Sequence, residues 1–304
     1  MRTSLTQQMQ NSLTYLNQSS NKLGDLQTRA ISGKRILRAS DDVPGTGRAL
    51  SLKSDIKNNE QLSNNVTVSQ PMLKTTQAAL SDLVKSMTQI KEKASKSINS
   101  ALSDVERKQL GVDLDNILSV MANAANTKHM DKYVFSGTAT TTQPLADAVG
   151  ASPYTYAGNT NVRQTQILSN VATPINIPGS SVFNFDGSAG PGVPDIFTMV
   201  TQLRDAVVAG DSTAVSSQLK NVDANLDNLL SCSAQVGSWV ARMDSAKTVL
   251  SDSNLQLKEM LSDTQDVDLA DAIVQLKTQE NVYQASLSIS SQILNISLAS
   301  SKSS

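Results

Sequence analysis

Cys232 is the only cysteine among 304 residues, so no disulfide can tie this chain to itself. Beside the seam position Ser233 it reads as a small residue packed at a helix contact. No apolar run approaches the ~18 residues that a membrane-spanning helix needs. His129 is the only histidine, and without clustered cysteines or carboxylates around it in sequence it reads as a surface or capping residue. Aromatic residues make up 3% of the chain, thin for a globular core but adequate for narrow seams between helices. A net charge of −1 supplies no basic field for nucleic acid. Residues 1–10 contain no apolar stretch of the kind a secretory signal needs, which points to a cytoplasmic protein or to export without a cleaved leader. There is no phosphate-binding loop and no nucleophile elbow; Gly187-Ser-Ala-Gly190 is a flexible loop by composition. No cofactor, metal site or enzymatic role is expected.

What is present is heptad periodicity. From Ser212 to Leu261 a 3.5-residue repeat aligns Val215, Leu219, Val222, Leu226, Leu229, Ser233, Val236, Val240, Met243, Lys247, Leu250, Asn254, Leu257 and Leu261, and only three of these positions are polar. A straight helix of that span is about 75 Å long at 1.5 Å per residue. It cannot bury its seam alone, so other helices must run beside it. The expected product is a rod, and rods join or position more often than they catalyse.

Taken in order, residues 1–31 carry a weak seam at Met9, Leu13, Leu16, Ser20, Leu23, Gln27 and Ala30, widened by Leu5 and Leu26. Gly33 suits a left-handed helix end. Ser40, Asp41, Asp42, Pro44, Gly45 and Gly47 mark a non-helical connector, in which the paired aspartates read as turn and helix-capping acceptors. Residues 48–99 resume the repeat, with a kink or restart expected at Pro71. Ser103 and Glu106 form a capping-box pattern before a second helix that ends near Met130, giving an antiparallel hairpin. Asp195 should cap a helix that returns before Gly210.

Between these helices the texture changes. Residues 138–194 hold six of the eight prolines and six of the 14 glycines. A hairpin is expected from Tyr154-Thr-Tyr156 to Val162–Leu168 around Gly158, with further short strands at Ile175–Ile177 and Val182–Phe185. Such a loop-rich insertion is expected to decorate the surface, dispensable to the helices around it. The last segment repeats at Leu269, Ile273, Leu276, Glu280, Tyr283, Leu287, Ser290 and Leu294, beside a second stripe of Val282, Ile289, Ile293 and Ile296. One partner helix cannot cover that breadth, so the face is either buried among several neighbours or left for other subunits. The fold class expected is mainly α: an elongated antiparallel bundle or coiled coil built from both chain ends, with a small β-rich insertion in the middle. The expected divisions are 1–40 with 266–304 as a terminal coiled coil, 41–137 with 195–265 as a helical rod, and 138–194 as the insertion.

Several strings resemble the bacterial flagellin superfamily. Gln27-Thr-Arg-Ala-Ile-Ser-Gly-Lys-Arg-Ile36, then Ala39-Ser-Asp-Asp42 and Pro44, is similar to its N-terminal signature. Asp268-Leu-Ala-Asp-Ala-Ile-Val-Gln-Leu276 and Gln279-Glu-Asn-Val-Tyr-Gln-Ala-Ser-Leu287 are similar to its C-terminal one. Asn126-Thr-Lys-His-Met-Asp-Lys-Tyr-Val-Phe-Ser-Gly137 resembles one branch, the hook–filament junction proteins. Val43, standing between Asp42 and Pro44, departs from the branch's pattern, and the closing Leu298-Ala-Ser-Ser-Lys-Ser-Ser304 departs from that of flagellins. The resemblance implies a structural protein outside the cell, at the junction of hook and filament, exported through the flagellar type III route without a cleaved signal. It implies assembly into a ring of copies, contact with the first hook-associated junction protein and with flagellin, and an export chaperone on the C-terminal helix. It also implies terminal helices that are disordered in the monomer and fold on incorporation, through Leu5, Met9, Leu13, Leu16, Leu23, Leu269, Ile273, Leu276, Tyr283, Leu287, Ile289, Ile293, Leu294 and Ile296. The signature turn would comprise Gly33, Ala39, Ser40, Asp41, Asp42 and Pro44. The runner-up reading is a minor flagellin.

Overall fold

A computed structural model of the chain describes residues 2–99, 102–147 and 154–302, with side-chain placement at 7, 9–98, 102–146 and 154–293. Five long helices dominate: α1 (Arg2–Ser32), α2 (Val43–Asn99), α3 (Asp104–Ala125), α6 (Ser212–Gln265) and α7 (Leu269–Lys302). Between α3 and α6 lie β1 (Lys128–His129), β2 (Lys132–Tyr133), β3 (Leu145–Asp147), β4 (Tyr154–Tyr156), β5 (Gln164–Leu168), β6 (Val171–Pro174), the single-turn α4 (Gly179–Val182) and α5 (Ile196–Ala209). Two compact units result: Met1–Asn58 with Asn254–Ser304, and Asn59–Ser253.

Local rules set most helix ends. Ser103 and Glu106 form the reciprocal capping box that starts α3. The Asp195 carboxylate accepts from the Phe197 and Thr198 amides at the start of α5. Gly210, at φ +73°, ends α5 in the left-handed conformation. Pro71 neither ends nor restarts α2, which runs unbroken past it. The ring lies on an exposed face, where water can reach the carbonyl it leaves unpaired.

In the central unit α2 and α6 are antiparallel, since Asn59 bonds Ser253, Gln70 bonds Asp244 and Lys91 pairs with Asp223. Lys93 and Asp113 (2.6 Å) link α2 to α3, and Arg204 and Asp115 (2.8 Å) link α3 to α5. Val66, Leu73, Leu80, Leu83 and Met87 of α2 are fully buried, as are Val222, Leu229, Val236 and Met243 of α6. Half of the α6 repeat therefore lies where the 3.5-residue count puts it. The other half is displaced by one: Asn225, Cys232 and Ala246 are buried, while Leu219 and Leu226 are only partly so. Small side chains there let neighbouring helices approach, and the larger ones fill the flanks. Burial pushes the Cys232 thiol up to about 11, so it is an inert packing group.

The middle segment departs most from expectation. β4 pairs antiparallel with β3, and β5 with β6; Tyr154–Tyr156 does not form a hairpin with 162–168. The turn at Gly158 instead curls back, with the Tyr156 hydroxyl bonding the Phe135 and Asn159 carbonyls and Asn159 Oδ1 accepting from the Thr138 amide. Residues 175–177 are irregular, and Val182 belongs to α4 rather than to a strand. Nor is the segment only surface. Leu145, Ile167, Ile177, Val182 and Phe183 lie in one continuous core with the helices. The Phe183 ring packs edge-on against Phe135 at 5.4 Å and tilted against Phe197 at 5.5 Å. Asn65 of α2 donates to the Gln166 carbonyl and Asn228 of α6 to the Ser181 carbonyl. With few aromatics in the chain, the segment supplies one of its three fully buried phenylalanines, Phe183, which joins Phe135 and Phe197.

Phe183→Ala is therefore expected to destabilise the central unit by about 3–5 kcal/mol. Urea unfolding followed by fluorescence of Trp239, the only tryptophan, measures it. Met130→Ala, at an exposed hairpin tip, serves as a neutral control. A Phe183 variant as stable as the control would mean that the segment is surface decoration.

Candidate assembly interface at the chain ends

The terminal unit is organised by a backbone clasp between the α1–α2 turn and the α6–α7 turn. Gly33, at φ +68°, ends α1 with its amide on the Arg29 carbonyl. The Arg35 amide then donates to the Gln265 carbonyl (2.7 Å) and the Val267 amide to the Gly33 carbonyl (2.9 Å), across an antiparallel bridge between Lys34 and Asp266. The Arg35 guanidinium donates from Nη2 to the Thr264 carbonyl (2.9 Å) and to Asp42 Oδ2 (3.1 Å).

The paired aspartates divide the local work. Asp41 Oδ2 accepts from the Leu37 and Arg38 amides, both at 3.0 Å, and so closes the turn. Asp42 Oδ1 accepts from the Gly45 amide at 2.9 Å and caps α2. The helix thus starts at Val43, earlier than the connector read from sequence, and Pro44, Gly45 and Gly47 lie within its first turns. Pro44 fits there because the first amides of a helix have no partner to lose. A β-carbon on Gly45 would collide with the Asp42 carboxylate and with Ile36 Cδ1 (2.7 Å), so a larger residue there would displace the capping aspartate. The Arg38 and Leu37 amides hold the Asp41 carboxyl below the ordinary range. The Gly45 amide and then Arg35 do the same for Asp42. Ile36 is buried beneath the turn, while Ala39 and Ser40 are exposed.

Beyond the clasp α1 and α7 pack antiparallel. Gln279 Nε2 donates to Ser19 Oγ (2.9 Å) and to the Ser19 carbonyl (3.3 Å), so the partner position recedes along α7 as α1 advances toward Gly33. The residues of α1 that turn inward are Met9, Ser12, Leu16, Ser19, Leu23, Leu26 and Ala30; those of α7 are Ala272, Leu276, Gln279, Tyr283, Ser286, Ser290 and Ile293. On both helices one half of the heptad matches the register read from sequence and the other half is moved by one residue. That move carries serine, alanine and glutamine into the seam and turns apolar side chains out. Leu13 is 49% exposed, Leu269 53%, Ile273 52%, Leu287 43% and Ile289 57%. At about 100° per residue, Leu269, Ile273 and Leu287 line one flank of the α7 seam, with Val282 and Ile289 on the other. The side chains of Leu5, Leu294 and Ile296 lie outside the described residues.

Among the described residues no group of three or more His, Cys, Asp or Glu is placed to hold a metal ion, and no helix is long and apolar enough to cross a membrane. His129 is far along the chain from the clasp, with Nδ1 3.0 Å from Thr75 Oγ1. Because that hydroxyl donates to the Pro71 carbonyl, the ring nitrogen is the donor to it, and His129 docks the β1–β2 hairpin on α2.

Comparison with known proteins agrees with this geometry. The family model for the bacterial flagellin N-terminal helical region matches residues 4–140, and that for the C-terminal helical region matches residues 219–300. Flagellar hook-associated protein 3 of Escherichia coli (strain K12) is 25% identical over 288 residues, 88% of this chain and 89% of that protein. A flagellin of Listeria innocua serovar 6a is 20% identical over 278 residues, 91% of this chain and 90% of that one. In fold the chain is similar to the flagellar junction protein FlgL from Legionella pneumophila, with a TM-score of 0.60 at 16% identity, over 73% of this chain and 100% of that chain.

The depressed aspartate pKa values give the turn a pH dependence with a definite sign. A carboxylate held below its unfolded value contributes stability that is complete at neutral pH and is lost as pH falls through the folded value, which here lies below the ordinary aspartate range. In NMR titrations the Leu37, Arg38 and Gly45 amides should shift below that range. Asp41→Asn should abolish the Leu37 and Arg38 transitions and leave that of Gly45. Amides that do not respond to acid would mean that the two carboxylates do not hold the turn.

Proposed function

The chain belongs to the bacterial flagellin family, and we propose that within it this protein is the structural piece that joins the flagellar hook to the filament. The observation that carries the reading is the apolar flanking of the α1–α7 pair. A stable monomer gains nothing from leaving Leu13, Ile273, Leu287 and Ile289 outward, whereas an assembling subunit uses them against its neighbours. Similarity to hook-associated protein 3 over most of both chains supports the junction role, and the likeness to a flagellin at comparable coverage but lower identity makes minor flagellin the weaker reading.

On this reading the role is mechanical and not catalytic. The protein reaches the growing tip by the flagellar export route and acts outside the cell. There it packs into a ring of its own copies, seated on the first hook-associated junction protein and followed by flagellin. An export chaperone shields the C-terminal helix until then. The helices supply the contact by completing their burial only in the assembly, so that folding and joining are coupled. Full burial of a leucine or isoleucine is worth about 1.5–3 kcal/mol, so a few such residues per subunit suffice to drive incorporation.

Ile273→Asp with Leu287→Asp places two carboxylates on one outward flank. The central unit should melt as in the unaltered protein, while flagella lose their filaments at the hook and the protein is no longer detected there by immunogold labelling. Normal filaments on variant hooks would remove this flank from the contact. Variant protein that forms long filaments by itself would favour the flagellin reading.

A further inference from the structure

Outside the terminal unit, the middle segment carries a groove of about 530 Å³ that the assembly reading does not use. Tyr154, Tyr156 and Phe185 give it aromatic walls, Asp186 and Asp195 give it carboxylates, and Ser180 adds a hydroxyl. The Tyr156 and Phe185 rings lie nearly parallel at 5.8 Å. Both tyrosines and Phe185 are half-buried, and Thr155 and Thr160 at the rim are exposed, so the groove is open to an incoming side chain. Among the described residues that line it none is basic. Both carboxylates thus line the groove with no cation among its described walls.

Several details bear on what the groove could hold. Ser180 is 4% exposed, and its hydroxyl has no hydrogen-bond partner. Asp186 takes the Ser181 hydroxyl on Oδ2 (2.6 Å) and the Ser188 amide (3.0 Å) and hydroxyl on Oδ1. Burial pushes its carboxyl up, but these bonds outweigh that and hold it below the ordinary range, so it is ionised at neutral pH. Its charge reaches the aromatic wall: the Tyr156 phenol is raised by burial first and, in smaller part, by Asp186. Asp195 accepts the α5 amides on Oδ1 alone, and no described donor bonds its Oδ2. Aromatic faces beside carboxylates suit a planar cation. A guanidinium stacks on rings and bonds carboxylates in pairs, which an ammonium does less well.

We propose that this groove is a recognition site for an arginine side chain presented by another polypeptide. The arginine enters past Thr155 and Thr160, stacks on Tyr156 and Phe185, and neutralises Asp186 and Asp195. Isothermal titration of the full chain with L-argininamide, with backbone amide shifts to locate it, tests this. Binding should shift the amides of Tyr154, Tyr156, Phe185 and Asp186, and L-citrullinamide, of the same shape without the charge, should not bind. Asp186→Asn and Asp195→Asn each keep an oxygen acceptor for the local turn and cap, and each should weaken argininamide by about tenfold. Equal binding of citrullinamide, undiminished binding by the asparagine variants, or shifts elsewhere on the chain would overturn the proposal. Saturable binding of a methyl glucoside without any of argininamide would overturn it in favour of a saccharide site. The citrullinamide comparison uses the unaltered protein, so the result stands even where a variant is unstable.

Discussion

The seam between α1 and α7 determines what this molecule can be. Ser12, Ser19, Ala272, Gln279, Ser286 and Ser290 alternate there with Met9, Leu16, Leu23, Leu26, Leu276, Tyr283 and Ile293. Each serine or alanine in that row buries little apolar area, so the pair is held weakly from within. The Ser19–Gln279 hydrogen bonds add alignment more than energy, since a net contribution of about 1 kcal/mol is typical of such a bond. Meanwhile Leu13, Ile273, Leu287 and Ile289 face away from the seam. Serines and a glutamine inward beside the larger side chains, with leucine and isoleucine left outward, is not what a finished pair would show. It is the arrangement of a component whose core is completed by neighbours.

A weak seam needs its register set elsewhere, and the clasp does this. The Gly33–Val267 and Arg35–Gln265 backbone bonds fix where α1 ends relative to the start of α7. Arg35, held by Asp42, ties the same turn to the end of α6. The residues that make these contacts are few and specific: a glycine for a positive φ, an aspartate to close the turn, an aspartate to cap, and a glycine where a β-carbon would collide. The signature strings at the two ends of the chain therefore code for one object, a joint between two turns. The exposed flanks of α1 and α7 beyond it are free to serve assembly.

How much of this was legible in the sequence depended on the range of the interaction. Features decided by neighbours in the chain were read correctly: the Gly33 turn, the Asp42 cap, the Ser103–Glu106 box, the Asp195 cap and the small packed Cys232. Heptads located the helices but only half of each face, because a 3.5-residue repeat does not say whether the step after a buried position is three or four. Counting favoured Leu13, Ile273 and Leu287 as seam positions because they are apolar. Packing chose the serines and alanine instead, which allow close approach. The strand pairing of 145–174 is not legible in the sequence, because no short-range turn signal marks the pairing of β3 with β4. The burial of Phe183 and Ile167 is hidden for a related reason, since loop-like composition does not distinguish surface from core. The groove beside Tyr156 had no sequence signature, because Asp186 and Asp195 belong to different turns that only the fold brings together.

The central claim is that the α1–α7 pair is an incomplete core that neighbouring subunits finish. Hydrogen–deuterium exchange of the same protein, as isolated monomer and within assembled hook–filament junctions, tests it most directly. The account predicts that amides of residues 9–31 and 269–293 exchange rapidly in the monomer and become strongly protected on assembly, while those of α2 and α6 in the central unit change little. Equal protection of the terminal amides in both states would contradict it.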